Sequence, residues 1–270
     1  MDTPDRIAKL FSDCKDNGRA AFVGYVCACD PNFNTSLEIS RSLIDNGVDL
    51  LELGVPFSDP LADGLTNQLA AQRALEAGCC QNDVFRLVEE IRKFSEIPIV
   101  FYTYYNLVFS QGVEEYVARS LAAGVDGLLT LDLPPEEATE LVGASKAQGM
   151  KNIFIVAPTT PDSRIPTIVD SASGFIYYVS REGVTGARKD LASNLAERVG
   201  LIRKFSDLPV VVGFGVSTPE QVCEVGKAAD GVVVGSALVN CISENLSTPD
   251  AIPQAIGSRA AELVAGLTSA

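Results

Sequence analysis

The stretch NGVDLLELG, residues 46–54, ends one predicted helix, turns, and enters an apolar run that closes on a glycine. A near copy, AGVDGLLTLD, occupies residues 123–132, and a weaker one begins with ADGV at residues 229–232. Glycine directly after a helical segment favours the end of the helix, and the apolar residues that follow favour a buried strand. The recurrence predicts a chain built from repeated strand and helix units.

Eight apolar runs of this kind occur, and each precedes a stretch with helical character. They are Ala21–Val26, Val48–Gly54, Ile97–Thr103, Val125–Asp132, Asn152–Pro158, Phe175–Ser180, Pro209–Gly215 and Gly231–Ala237. Several are continuously apolar, which is typical of parallel strands buried on both faces. Eight such units in 270 residues predict the α/β class and a closed (β/α)8 barrel, the TIM barrel, as a single domain over residues 1–270.

Helices are predicted between the strands and at both ends of the chain. The approximate ranges are 4–17, 34–46, 67–76, 82–94, 113–123, 135–148, 165–171, 194–205, 219–228 and 250–267. The first of them precedes the first strand, and we expect it to close the lower end of the barrel. Because chemistry in such barrels collects where the strands end, the residues after each strand are the first candidates for a site.

The composition argues against several classes of protein. A net charge of −14 disfavours nucleic acid as a partner, because phosphate backbones select basic surfaces. No apolar run approaches membrane-spanning length, and residues 1–14 have the pattern of an amphipathic helix rather than of a signal peptide. We therefore expect an enzyme of the cytoplasm, or of an organelle stroma, with no membrane partner.

The absence of histidine limits the available chemistry. It excludes Ser-His-Asp hydrolysis and His-ligated metal sites, so that proton transfer falls to Asp, Glu, Tyr, Lys or Cys. The seven cysteines are an odd number without a CxxC spacing, and we expect them to be buried or partly buried reduced thiols.

Glu52 is the first candidate for catalysis, because it lies between apolar residues on a strand that should be buried. A carboxyl group in that setting must be paired, hydrogen-bonded or raised in pKa. A partnered core glutamate is the alternative, but inward ionisable groups near the strand ends of such barrels are usually catalytic. We expect Glu52 to be protonated near neutral pH and to act as an acid.

Asp63 is the second candidate and lies in the loop PFSDPLADG, residues 56–64, directly after the same strand. The prolines and the glycine constrain this loop over the barrel mouth. An aspartate before a glycine and a helix is also a common turn or helix-cap residue. The residues alone leave a catalytic and a capping Asp63 equally favoured.

Glycines follow three of the late strands and suit the binding of an anion. They are Gly183 and Gly186 after the sixth run, Gly213 and Gly215 at the end of the seventh, and Gly235, before Ser236, at the end of the eighth. Glycine lets backbone N–H groups approach an anion, and a helix after the eighth strand would add its dipole. One pair is better explained by a tight turn, but three in these loops indicate a substrate phosphate.

Two further segments have less specific signals. The run FYTYYN, residues 101–106, ends in aromatic side chains that suit either a flat apolar ligand or an ordinary core. Arg181, Arg188 and Lys189 follow the sixth run, where they indicate either a solvated mobile loop or a lid.

Five motifs, in their order and spacing, resemble those of the tryptophan synthase alpha subunit family, and the resemblance covers nearly all of the chain. They are LELGVPFSDPLADG at residues 51–64, YYN at 104–106, SREGVTG at 180–186, GFGV at 213–216 and GSA at 235–237. The resemblance implies a (β/α)8 barrel that cleaves indole-3-glycerol phosphate to indole and glyceraldehyde 3-phosphate without a metal or organic cofactor. It also implies a pyridoxal-phosphate beta subunit as partner, in an assembly of two alpha and two beta subunits.

The resemblance assigns roles to individual residues. The family's two catalytic carboxylates fall on Glu52 and Asp63. Its substrate-binding positions fall on Tyr25, Tyr177, Thr185, Gly186, Phe214, Gly215, Gly235 and Ser236. Its partner-contact positions fall on Asp59 and Pro60. Tyr25 stands where the family commonly has phenylalanine, so it adds a hydroxyl to a ring-packing position.

Three departures from the family pattern bear on activity. Leu65 and Asn67 stand where the family usually has a proline and an aliphatic residue, respectively. Cys29 stands in place of a glycine after the first strand, and Leu107 stands in place of a proline after Asn106. Leu65 should loosen the loop that holds Asp63, and Cys29 should restrict a turn near the barrel mouth. We expect activity, slow in the free chain and faster with a beta subunit.

Three other functions are compatible with parts of this pattern. A stand-alone lyase would release free indole, and Asp59 and Pro60 would then matter little. A weakly active subunit that mainly activates a beta subunit is favoured by the altered residues 65–67 but disfavoured by the intact Glu52 and Asp63. A sugar-phosphate isomerase is compatible with the fold alone, although the loop from Glu52 to Asp63 matches only the one family.

Overall fold

The computed structural model describes residues 5–179, 188–213 and 215–269. The strands are β1 (Ala21–Cys27), β2 (Leu50–Gly54), β3 (Ile99–Thr103), β4 (Gly127–Thr130), β5 (Lys151–Val156), β6 (Ile176–Val179), β7 (Val210–Gly213) and β8 (Gly231–Val234). Each strand pairs in parallel with its neighbours in chain order, and β8 pairs with β1. The sheet is therefore a closed barrel, and the predicted fold is confirmed.

Helices surround the barrel. They are α1 (Arg6–Asp16), α2 (Phe33–Asp45), α3 (Leu65–Glu76), α4 (Gln81–Arg92), α5 (Tyr105–Phe109), α6 (Val113–Ala123), α7 (Thr139–Gln148), α8 (Ile165–Ser171), α9 (Arg188–Ile202), α10 (Pro219–Ala228), α11 (Ser236–Glu244) and α12 (Ile252–Val264). Short 3-10 turns lie at Pro135–Glu137, Asp162–Arg164, Pro249–Ala251 and Ala265–Ser269. Every predicted helix range has a counterpart, whereas α5 is not predicted and α11 is predicted only as a helix after the eighth strand, without a range.

Several predicted strands are longer than the observed ones because their end residues belong to neighbouring turns or helices. The Val48 N–H donates to the Leu43 carbonyl at 3.1 Å, which completes the end of α2 instead of extending β2. At the end of β8, Ser236 already belongs to α11. The helix predicted from residue 194 begins at Arg188, so Arg188 and Lys189 are helical residues rather than loop residues.

The N-terminal helix closes the lower end of the barrel, as the sequence predicts. Ile7, Phe11 and Cys14 of α1 are buried and pack in one cluster with residues of the barrel strands. The Phe11 ring lies 5.7 Å, centroid to centroid, from the ring of Phe175, the residue before β6. Substrate access is therefore confined to the opposite end, where the strands finish.

The register of the first three strands brings candidate residues together at that upper end. Tyr25 of β1 pairs with Glu52 of β2, and Gly54 pairs with Tyr102 of β3.

In the described ranges no helix is long and apolar enough to cross a membrane. The single domain over residues 1–270 stays a prediction.

Candidate active site

Glu52 lies on β2 with its side chain buried, at 1% exposure. Its Oε1 has no hydrogen-bond partner in the described part of the chain. Burial, and to a lesser degree the negative charge of Asp63, raises the pKa of Glu52 from its ordinary 4.5 to about 8. The group is therefore an acid at neutral pH, and the alternative of a fully partnered core glutamate does not describe it.

The carboxylate of Asp63 is held chiefly by two phenols and does not cap the helix that follows it. Tyr102 and Tyr104 donate their hydroxyls to its two carboxylate oxygens at 2.9 and 2.7 Å. The N-cap residue of α3 is Gly64, and no side chain caps that helix end. The choice left open by the sequence is thus resolved against a capping role, because the carboxylate points to β3 and its exit.

The hydroxyls of Tyr102 and Tyr104 are the contribution that sequence reasoning missed. Tyr102 lies in β3, and Tyr104 follows the strand as the extended N-cap residue of α5, so the alternation of extended backbone directs both side chains to the same side. This spacing is visible in the sequence, but it fits two aromatic rings that line a binding site as well as it fits two hydroxyl hydrogen-bond donors. Only the position of Asp63 across the barrel mouth distinguishes the two.

A cavity of about 390 Å³ opens at the upper end of the barrel and contains both carboxyl groups. Its lining includes seven of the predicted site residues: Tyr25, Glu52, Asp63, Tyr177, Gly215, Gly235 and Ser236. Leu131, Ile155, Val179 and Val233 add an apolar wall that the sequence does not single out. The cavity therefore combines an apolar part, two carboxyl groups and a glycine-lined part.

Two strand glycines make room for tyrosine rings beside the cavity. A Cβ atom at Gly54 would lie 2.5 Å from the hydroxyl oxygen of Tyr25, and one at Gly213 would collide with the hydroxyl of Tyr177. Both tyrosines are buried, and burial holds their pKa values well above the ordinary range. They are neutral packing groups, and the extra hydroxyl of Tyr25 is accommodated over Gly54.

Asn67, one of the departures from the family pattern, also lines the cavity. Its Nδ2 donates to Asp63 at 3.5 Å, a long contact, and its buried Oδ1 has no partner among the described residues. Leu65, the other departure in this segment, is 69% exposed at the start of α3. The expected loosening of the loop by Leu65 stays a prediction.

The glycine-lined part of the cavity has the features of an anion site. Gly215 has a φ of +74°, a left-handed conformation that glycine adopts without strain. Gly235 precedes α11, so the first N–H groups of that helix lie at the cavity edge. No lysine or arginine is among the described lining residues, and the backbone N–H groups and helix dipole at this end of the cavity are features that suit an anion.

The described lining of this cavity does not include the other predicted site residues. Asp59 and Pro60 lie in the loop between β2 and α3, and neither is a lining residue. Thr185, Gly186, Phe214 and Arg181 lie outside the described residues. Within the described ranges, no group of three or more Cys, Asp or Glu side chains is arranged to hold a metal ion.

Known proteins are similar in sequence to this chain over almost its entire length. The family model described as tryptophan synthase alpha chain matches residues 11–265. The tryptophan synthase alpha chain of Opitutus terrae is 62% identical over 261 residues, which cover 97% of this chain and 98% of that one. The alpha chain of Methanoregula boonei is 45% identical over 250 residues, or 92% and 93% of the two chains.

Solved structures agree with this match. The crystal structure of tryptophan synthase subunit alpha from Legionella pneumophila superposes with a TM-score of 0.92 at 33% identity, covering 99% of this chain and 100% of that one. The resemblance drawn from the five motifs is confirmed. The chain belongs to the tryptophan synthase alpha chain family and is a lyase that cleaves indole-3-glycerol phosphate.

Proposed function

We propose that Glu52 moves the proton and Asp63 holds the indole ring during this cleavage. The observation that carries the proposal is the presence, in one cavity, of a buried acid with a pKa of about 8 and a carboxylate fixed by two tyrosine hydroxyls. The first group gives and takes a proton near neutral pH. The second is an acceptor already in position before substrate arrives.

The proton of Glu52 completes a closed cycle. Glu52 first donates to C3 of the indole ring, which leaves positive charge on the ring and makes it a leaving group. The Glu52 carboxylate then takes the proton of the glycerol hydroxyl beside the ring. The O–H electrons form the aldehyde, the carbon–carbon bond breaks, and its electron pair neutralises the indole. Glu52 ends protonated, as it began.

Asp63 accepts the indole N–H in this proposal and stabilises the positive charge that develops on the ring. Its two tyrosine donors keep the carboxylate oriented before the charge develops, so that no further reorganisation is needed when the charge appears. The apolar wall formed by Leu131, Ile155 and Val179 suits the flat face of the ring.

The phosphate is held, we propose, by backbone N–H groups of Gly186, Gly215, Gly235 and Ser236, with Thr185 and Phe214 in the same loops. The position of Gly235 and Ser236 at the start of α11 supports this assignment. The phosphate takes no part in the bond changes, so its binding energy is available to orient the reacting end at Glu52.

A beta subunit is the partner, and we propose an assembly of two alpha and two beta subunits in the cytoplasm. Asp59 and Pro60 are its proposed contacts, and the next residue, Leu61, is an apolar side chain with 91% exposure. Asp59, Pro60 and Leu61 belong to the same loop between β2 and α3 as Asp63. Docking there would exclude water from Glu52 and Asp63, and the cleavage rate should rise.

Replacing Glu52 by glutamine tests the catalytic assignment. E52Q keeps the shape of the side chain but cannot transfer a proton, so we expect kcat to fall about 100- to 10,000-fold while KM changes little. Steady-state indole release measures both constants, and the exposed Glu96→Gln serves as the matched control. Turnover of E52Q close to that of the unmodified chain would remove Glu52 from its proposed role.

Adding a beta subunit tests the partner assignment. We expect cleavage by the free chain to be slow and to accelerate with excess beta subunit, and Asp59→Ala to weaken the acceleration without altering the free chain. Cleavage that is fast alone and unchanged by the partner would identify the stand-alone lyase instead.

A further inference from the structure

We propose that Asp30 and Arg73 are positioning residues for the cleavage, because their ion pair sets the place of α3 and, through that helix, the place of Asp63. Asp30 lies in the turn after β1, and Arg73 lies in the last turn of α3. Neither is among the described residues that line the catalytic cavity. The inference rests on the proposed role of Asp63, and its test separates the two.

The ion pair is buried and bidentate. The Arg73 guanidinium donates from Nε to Asp30 Oδ1 at 2.8 Å and from Nη2 to Asp30 Oδ2 at 2.7 Å. The side chain of Asp30 is fully buried, and that of Arg73 is 18% exposed. Two hydrogen bonds from a planar guanidinium fix the orientation of the two groups as well as their distance. The pair therefore defines where α3 lies against the end of β1.

The apolar contacts of α3 are small. Its buried residues are Ala70, Ala71 and Ala74, which pack in one cluster with residues of β1 and α11. An alanine buries a single methyl group, so the three alanines contribute little apolar area. The larger side chains of Leu65 and Leu69 are 69% and 43% exposed. We therefore assign the placement of α3 on the barrel chiefly to the ion pair.

The turn that carries Asp30 is itself held by the barrel. The Ala28 N–H donates to the Gly54 carbonyl at 2.9 Å, which joins the turn to the end of β2. The Cys29 N–H donates to Ser36 Oγ at 3.0 Å, which joins the turn to α2. The Asp30 carboxylate is therefore a fixed point at the upper end of the barrel.

Hydrogen bonds at the start of α3 extend this placement to Asp63. Gln68 Nε2 donates to the Asp63 carbonyl at 2.8 Å, and the Gln68 N–H donates to the Gly64 carbonyl at 3.0 Å. Arg73 follows Gln68 by less than two turns of the same helix. A shift of α3 at Arg73 would therefore move Asp63. A displacement of about 1 Å at a catalytic group can cost about 100-fold in rate.

Arg73→Lys tests the proposal. Lysine keeps a positive charge beside the buried Asp30, which keeps the chain folded, but it cannot form the bidentate pair. We expect kcat to fall about tenfold and KM to change less than about twofold, because Asp63 acts on the charge that develops in the transition state. Steady-state indole release measures both constants, and urea denaturation establishes that the variant is folded under the assay conditions.

Arg19→Lys is the matched control. Arg19 also makes a bidentate pair, with Asp49, at 2.6 and 2.7 Å. Asp49 precedes β2, so this pair lies at the end of the barrel opposite the cavity. We expect a loss of stability similar to that of Arg73→Lys, with kcat and KM unchanged. Equal falls in kcat in the two variants would show a general effect of stability and would overturn the positioning role.

Gln68→Met and Asp63→Asn separate this proposal from the role of Asp63. Gln68→Met removes the side-chain link between α3 and Asp63, and kcat should fall as it does in Arg73→Lys. A large fall in kcat in Asp63→Asn, together with an unchanged kcat in Arg73→Lys or in Gln68→Met, would overturn the positioning role alone. An unchanged kcat in Asp63→Asn would remove the proposed role of Asp63 and this inference with it.

Discussion

Two buried carboxyl groups, Asp126 at the lower end of the barrel and Glu52 at the upper end, have opposite surroundings. Asp126 precedes β4 and accepts hydrogen bonds from Arg6 (3.0 Å), Arg92 (2.9 Å) and the Ile99 N–H (2.8 Å). Burial raises the pKa of Asp126, but all of these donors oppose the rise. For Glu52, burial is reinforced by the charge of Asp63, and Oε1 has no partner among the described residues.

The difference separates a structural carboxylate from a reactive acid. Asp126 joins α1 to the barrel through Arg6, and its charge is compensated in the folded chain. Glu52 is left without compensation, and an uncompensated buried carboxyl keeps its proton until a substrate supplies a base or an acceptor. The lower end of the barrel thus serves stability, and the upper end serves reactivity.

Asp126→Asn should produce the largest loss of stability. It leaves the charges of Arg6 and Arg92 without their shared anion, and removing one partner of a buried ion pair typically costs about 3–5 kcal/mol. Urea denaturation measures the free energy of unfolding. The control is Glu96→Gln, since Glu96 also pairs with Arg6 but is 74% exposed, and the expected loss there is below about 1 kcal/mol.

The folded fraction of Asp126→Asn should keep its activity, since the substitution lies at the end of the barrel opposite the cavity. Equal losses of stability in Asp126→Asn and Glu96→Gln would contradict the structural role of Asp126.

Glu52→Gln should change stability in the opposite direction, and the change should depend on pH. The pKa of Glu52 is about 8 in the folded chain against an ordinary 4.5, so the folded state holds an extra proton between these values. Folding stability from this group is present below pH 4.5 and is lost as the pH rises toward 8. At pH 9 we expect E52Q to be more stable than the unmodified chain by on the order of 3–5 kcal/mol.

Urea denaturation at pH 5, 7 and 9 follows the gain, with Glu96→Gln as the exposed control. A pH-independent difference between E52Q and the unmodified chain would mean that Glu52 is ionised in the folded state.

The contrast between the two carboxyl groups shows what the sequence can predict. Apolar runs reveal the strands, and a glutamate inside such a run reveals a buried acid, because both signals are local. The donors to Asp63 and the partners of Asp126 come from other strands and helices, and their proximity depends on strand register. Residues 181–187 lie outside the described ranges, so Thr185 and Gly186 keep only their sequence-based assignment.

Tyr102→Phe and Tyr104→Phe should each lower kcat/KM by about tenfold, because a hydrogen bond to a charged group contributes roughly 1.5–3 kcal/mol. Tyr104 should have the larger effect, since its hydroxyl also accepts from the Ala62 N–H at 3.0 Å. Tyr105→Phe removes a neighbouring hydroxyl that does not contact Asp63 and is the matched control. An unchanged kcat/KM in both Tyr102→Phe and Tyr104→Phe would show that Asp63 needs no fixed orientation.

The smallest expected effects extend the comparison from carboxyl groups to two asparagines. Asn67 at the barrel mouth has a buried Oδ1 without a partner in the described chain, whereas Asn152 of β5 accepts a hydrogen bond from Ser145 at 3.3 Å. Asn67→Leu removes an unsatisfied acceptor and should stabilise the chain by about 1 kcal/mol, while Asn152→Leu leaves the Ser145 hydroxyl unpaired and should destabilise it by about as much.

Because the contact between Asn67 and Asp63 is long at 3.5 Å, kcat/KM of Asn67→Leu should change less than about threefold. Urea denaturation and steady-state indole release decide both points: a destabilised Asn67→Leu would mean that Oδ1 is satisfied in solution, and a large fall in kcat/KM would mean that it receives a hydrogen bond from the substrate.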